Sequence, residues 1–332
     1  MLAPVTDDAL LRLCRQHLQA LSLAHLVEAG IDRLPLPGAG ATLQRWRALS
    51  EVAAHDLSLV KLFEGHTDAL AIRSELGAAP AEPGSLWGTW CAEPPDARVS
   101  LVDTGGDARL HGTKAWCSGA ASVSHAVVSC WNAAGEPCLA AVAMDQAGVT
   151  VTDSGWHAVG MAASGSVDVR FDGALASPLG RPGDYVNRPG FWQGGAGIAA
   201  CWFGGALGIA RIARQACLKA PDPHRRAHIG AIDTALAGAA ALLRESAAWI
   251  DAHPRADARE VALRTRLVVE EAAQQVIAHA GRATGAGPLC RDPRFARAMA
   301  DLPVFMRQSH AERDLAALGE IVLAPESSPW KL

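Results

Sequence analysis

The sequence predicts an α+β protein with an N-terminal helical region, a middle antiparallel β-barrel or sandwich, and a C-terminal four-helix bundle. Three observations predict it. Apolar residues recur at helical spacing to about residue 77, the period shortens towards two between about residues 86 and 176, and long helical stretches resume from about residue 194. The corresponding boundaries are 1–80, 81–182 and 183–332. The 332 residues agree with more than one folding unit.

The first region carries Leu10, Leu11, Leu13, Leu18, Leu21 and Leu23 at helical spacing, then breaks at LPLPGAG between Gly30 and Gly40. A second helix is expected from about Ala41 to Val60 and a third from about Gly65 to Leu76. The AAPAEPGS stretch at 78–85 reads as a linker. RVSLV, ARLHGTKAWCS, HAVVSCW, CLAAVAM, VTVTD and SVDVRF then read as short strands, separated by turns such as DTGGD and NAAGE. Strands so spaced, with no helices between them, indicate a barrel or sandwich. Beyond SPLGRPGDY, helices are expected at 195–219, 225–252, 256–281 and 294–320, delimited by PDPH, AHPRAD and TGAGPLCRDP.

Composition narrows the function classes. Lys+Arg 30 against Asp+Glu 34 lacks the basic excess of a nucleic-acid-coating protein. The eight cysteines form no C-x-x-C and no zinc-ribbon spacing, so buried thiols in a reducing cytoplasm are expected, with no metal. No signal peptide is evident. The uncharged stretch Phe191–Ala210 is long enough to span a membrane, but six glycines and a glutamine make it a buried core helix.

Several chemical patterns fail on inspection. Ser58-Leu-Val-Lys61 matches S-x-x-K without the partner motifs of a serine hydrolase. His224 and His228 stand at i and i+4 with no glutamate between them and no third ligand. Neither Gly195-Ala-Gly197 nor Gly285-Ala-Gly287 has the strand-turn-helix context of a dinucleotide fingerprint. What remains is LHGTKAWCSGA at 110–120, with GTWCAEPP at 88–95 upstream. A Trp and a hydroxyl on a strand edge would supply an aromatic wall and a hydrogen-bond donor. The competing reading is that these tryptophans only fill a barrel core.

On these segments the chain resembles the acyl-CoA dehydrogenase superfamily of flavoproteins. HDLSLVKLFEGHTDAL is similar to its N-terminal helices, and WCAEPP to its flavin-side Thr-Glu-Pro loop. LHGTKAWCSGA is similar to its G-x-K-x-W strand, and WHAVGMAASGSVDVRFDGA to the W-x-x-x-G-M segment. The resemblance implies FAD as cofactor. It places Trp116 and Ser118 beside the flavin ring and the Trp90-Cys91-Ala92 loop backbone against it. It also implies that Arg226 reaches the FAD of a neighbouring subunit, that Gly281 and Gly285 lie in the nucleotide-contact segment, and that the protein is a homodimer or homotetramer.

Its departures concern the reaction. Ala92 replaces the loop threonine, and the Y-E-G-T segment of the catalytic glutamate is absent; FMRQSHAERDLAALG stands at 305–319 instead. Dehydrogenation of an acyl thioester to an unknown electron acceptor needs a base for the α-proton. The candidates are Glu312 and His310, which one continuous helix would place about 200° apart. His310 suits a relative that uses oxygen, so a flavin monooxygenase or oxidase is the second reading, and a non-catalytic binding or assembly subunit the third.

Overall fold

The structure, a computed structural model, describes residues 21–103, 106–220, 222–324 and 330. The expected helical positions Leu10 to Leu18, and Cys14, lie outside the described residues. The chain divides into two compact units, Met1–Leu34 with Ser58–Phe191, and Pro35–Leu57 with Trp192–Leu332.

The first unit holds a short helix α1 (Leu23–Glu28), most of α3 (Leu57–Glu75) and all of the sheet. Ser22 caps α1 by accepting from the His25 amide, while the His25 ring accepts from the Ser22 amide. The strands are β1 (Trp87–Trp90), β2 (Val99–Asp103), β3 (Ala108–Cys117), β4 (His125–Trp131), β5 (Pro137–Ala143), β6 (Val149–Val151) and β7 (Val167–Leu179). Strands β4, β2, β3, β7 and β5 close on themselves, since β5 pairs β4 again, and β1 and β6 attach at β4 and β7. Closure leaves this small barrel few open edges.

Three expectations need correction here. The sheet is not wholly antiparallel, because β1 runs parallel to β4 and Ser100 pairs Trp131 in parallel. Strand β1 was not expected, its WGTW being too short for a visible alternation. Strand β7 runs eight residues past SVDVRF, because Leu179, Pro178, Ser177 and Ala176 extend the ladder along β5.

Helix α3 is seated on β1 by polar contacts. The His66 ring, 1% exposed, accepts from the Trp87 amide at 3.0 Å, and the Thr89 hydroxyl donates to the Gly65 carbonyl at 2.6 Å. Lys61 pairs with Glu64 at 2.9 Å, which accounts for the lysine of the S-x-x-K match.

The second unit holds α2 (Thr42–His55), then, after α4 (Asp184–Asn187) of the first unit, α5 (Gly190–Lys219), α6 (Pro223–Ala252), α7 (Arg259–Thr284), α8 (Ala286–Arg291), α9 (Pro293–Phe305) and α10 (Glu312–Leu323). The helix expected over Ala41–Val60 ends at His55, where Asp56 is extended, and α3 begins at once at Leu57. The single helix expected over 294–320 is two helices. A 3-10 turn at Met306–Gln308 and the left-handed Ala311 (φ 45) separate them. Asp222 and Asp292, each followed by proline, cap α6 and α9, and Gly285 (φ 68) ends α7.

Helix α5 contains the uncharged stretch. It is long and apolar enough to cross a membrane, but 78% of its most apolar window is buried in the protein. Its glycines admit the backbone of α2: a Cβ on Gly204 would lie 2.2 Å from the Ser50 carbonyl oxygen, and one on Gly208 2.7 Å from that of Ala54. A backbone oxygen cannot swing aside. Gly204→Ala is therefore expected to destabilise by about 3 kcal/mol, the cost of overpacking. Gly238→Ala on α6, with open space around it, should stabilise by up to about 1 kcal/mol. Chemical denaturation of both variants checks the contrast.

Candidate active site

In the first unit the two motif segments meet. Trp90 is buried, and its indole Nε1 donates to the Ser118 carbonyl at 3.1 Å. Cys91 and Ala92 follow on the loop to β2, Cys91 half-buried and Ala92 exposed. The loop is anchored by its next residue. Glu93 takes the Lys114 ammonium at 2.6 Å, a hydrogen bond from the Ser129 hydroxyl, and one from the Trp131 indole at 3.0 Å. Lys114 is completely buried and also donates to the Ser129 carbonyl at 3.1 Å. Burial works to raise the Glu93 carboxyl, but the bonds from Lys114, Ser129 and Trp131 outweigh it and hold the carboxyl below its ordinary value. Glu93 and Lys114 both lie inside the two motifs, but the sequence does not mark them as partners. The two form an ion pair that joins loop to strand, its lysine buried and its carboxylate a third exposed.

Two residues beyond Lys114 the strand bulges. Lys114 pairs with Val169 and Cys117 with Val167, so Ala115 and Trp116 stand opposite a single residue of β7. Trp116 has φ 58, left-handed backbone that a non-glycine residue rarely adopts, and its side chain is 52% exposed. The pure core-filling reading fits Trp90 and fails for Trp116. Trp116 thus combines a sparsely populated backbone conformation with a large aromatic face open to solvent.

Beside it runs a chain of three hydroxyls. Ser118 Oγ lies 2.7 Å from Ser166 Oγ, which lies 2.9 Å from Ser164 Oγ, and Ser164 donates to the Met161 carbonyl at 2.8 Å. Ser164 and Ser166 were missed as site residues, although both lie in the quoted WHAVGMAASGSVDVRFDGA segment. The nearby thiols do not compete as nucleophiles. Burial pushes Cys91 up to about 11 and Cys130 up to about 12, and raises Cys117 as well.

The remaining candidates belong to the second unit. Arg226 is exposed in the first turns of α6. His228, two residues on, meets His279 of α7 with Nδ1 atoms 3.0 Å apart, which brings the Arg226 segment to that of Gly281. His228 thus pairs with His279, and no group of three metal-ligating side chains occurs among the described residues. Gly281 is helical, and Gly285 supplies the left-handed stop of α7.

His310 and Glu312 do not share a helix. His310 precedes the left-handed Ala311, and Glu312 is the exposed first residue of α10. His310 is 61% exposed with Nδ1 3.5 Å from the buried Asp314 carboxylate, whose other oxygen lies 3.7 Å from Arg266 and accepts from the His310 amide at 3.2 Å. Asp314 was the missed residue here, one turn into a segment read only for its base.

No known protein-family profile and no curated protein matches the sequence. Solved structures do match the fold. Methanesulfinate monooxygenase MsuC from Pseudomonas fluorescens superposes with a TM-score of 0.80 at 21% identity, over 100% of this chain and 99% of that one. The chain has the acyl-CoA dehydrogenase fold. TdsC from Paenibacillus sp. A11-2, solved with FMN and indole, matches at TM-score 0.78 and 18% identity over 96% and 94% of the two chains. KijD3, solved with FMN and a dTDP-amino-keto sugar, matches at 0.78 and 20% over 98% and 97%.

Proposed function

We propose that this protein is a flavin-dependent monooxygenase whose flavin ring lies against Trp116 and Ser118. The observation that carries the reading is Trp116, held half-exposed in left-handed backbone beside an organised hydroxyl chain. These residues fit a flavin: an aromatic plane for the ring, a polar atom at its edge, and a loop pinned by Glu93 and Lys114. Bound reduced flavin would supply two electrons to dioxygen, one oxygen atom entering the substrate and the other leaving as water.

Oxygenation rather than acyl dehydrogenation is favoured by two things. The similar structures include monooxygenases, among them one solved with FMN and indole. The chain also has, in place of the family's glutamate segment, a histidine whose ring nitrogen lies 3.5 Å from a carboxylate. In this reading His310 handles a proton and Asp314 sets its ring orientation. Glu312, exposed at the start of α10, is the base that the dehydrogenase reading would need. The ring wall suits FMN and FAD alike. FAD would add contacts to Arg226, Gly281 and Gly285, with Arg226 serving a neighbouring copy in a homodimer or homotetramer.

The test uses full-length protein, reduced flavin and labelled dioxygen with indole, dibenzothiophene, methanesulfinate and a set of acyl thioesters. Label in a product, lowered about 100-fold by His310→Ala, supports the proposal. Anaerobic bleaching of bound oxidised flavin by an acyl thioester would overturn it in favour of dehydrogenation.

A further inference from the structure

We infer that Arg266, on α7, is a positioning residue for His310: it grips the turn that carries the histidine and stands across the Asp314 carboxylate from its ring. The inference rests on the reading that His310 handles a proton. It starts from the exposure of that ring. An imidazole 61% exposed is not held by packing, so its place is set by the backbone between α9 and α10. That backbone includes left-handed Ala311, a conformation that persists only where its surroundings hold it. Two residues of α7, one turn apart on one helix face, do the holding. Glu270 takes the Arg307 guanidinium, and Arg266 Nη2 donates to the Gln308 carbonyl at 3.0 Å.

The same Arg266 nitrogen stands 3.7 Å from Asp314 Oδ2, the oxygen that accepts from the His310 amide at 3.2 Å. Arg266 therefore reaches the turn on both sides of His310, at a carbonyl before it and at a carboxylate after it. Its guanidinium lies 5.5 Å from the ring of Trp202, a completely buried indole of α5, within range of a cation–π attraction. Charge follows the same geometry. Asp314 Oδ1 lies 3.5 Å from His310 Nδ1, so guanidinium and imidazole flank one carboxylate. The other charged groups around the turn are Glu270 and Arg307, paired with each other, and Glu312 and Arg313, exposed at the start of α10. Without Arg266 the full charge of Asp314 would bear on the imidazole, which would then keep its proton to higher pH.

The experiment is an NMR titration of the His310 ring in the full-length protein, its signal assigned by its loss in His310→Ala. Beside it, oxygenation is measured with reduced flavin, labelled dioxygen and whichever of indole, dibenzothiophene or methanesulfinate takes up label. Arg266→Met should move the His310 midpoint up by about half a unit or more. It should also lower kcat about tenfold, with KM within about twofold of wild type. Arg266→Lys keeps the cation and should return both readouts towards wild type. Asp314→Asn keeps the shape, removes the charge, and should move the midpoint down. A folded Arg266→Met protein with the wild-type midpoint and kcat overturns the inference, as does an Asp314→Asn midpoint that does not fall. Oxygenation by His310→Ala at the wild-type rate overturns the proton-handling reading instead, and the NMR midpoints alone then decide whether Arg266 sets the histidine's surroundings.

Discussion

Trp116→Gly should leave the protein as stable as wild type, or up to about 1 kcal/mol more stable, while weakening flavin binding at least tenfold. The two halves of that result have different origins. Left-handed backbone costs a non-glycine residue about 1–3 kcal/mol, which glycine does not incur. Glycine in turn gives back part of the gain through the entropy of the unfolded chain. The indole itself contributes little to the core, because it is 52% exposed where Trp90 is buried. The proposed flavin contact, by contrast, would depend on the indole itself. Thermal unfolding and an FMN titration on the same preparation separate the two effects. A large loss of stability with unchanged flavin affinity would make Trp116 a structural residue after all.

Breaking the pair between Glu93 and Lys114 should have the largest effect on stability. Glu93→Ala leaves a wholly buried ammonium with only the Ser129 hydroxyl and carbonyl as partners. Removing one member of a buried pair costs about 3–5 kcal/mol, and the partial exposure of Glu93 puts this case at the lower end. Lys114→Met should be milder, since the carboxylate left behind reaches solvent and keeps Trp131. The pH dependence has a definite sign. The Glu93 carboxyl is held below its ordinary 4.5, so its contribution is fully present above that pH. It is lost as the solution is acidified through the lower folded value. Urea unfolding at several pH values between 6 and 3 should therefore fall more steeply for wild type than for Glu93→Gln.

The legibility of this chain in its sequence follows from which signals are periodic. Helical and strand spacing marked most of the long elements, and the glycines of α5 separated a core helix from a membrane span. The break between α9 and α10 was not legible, because a non-glycine residue in left-handed backbone, Ala311, carries no sequence mark. The same is true of Trp116. Strand β1 is four residues long and its pairing with β4 is parallel, so neither alternation nor a hairpin turn announced it. At the site, the motif residues Trp116 and Ser118 were visible, while Glu93, Lys114, Ser164 and Ser166 act through contacts between segments that spacing alone does not reveal. Asp314 was hidden for a related reason. It reads as one more charge in HAERD until the fold buries it against Arg266 and His310.

The central claim is that a flavin ring rests on the Trp116–Ser118 wall, and titration of wild type and Trp116→Gly with FMN and FAD tests it most directly. Saturable binding by wild type, weakened at least tenfold in a fully folded Trp116→Gly protein, is the predicted result. No saturable binding of either flavin, or affinity indifferent to the loss of Trp116, would contradict it.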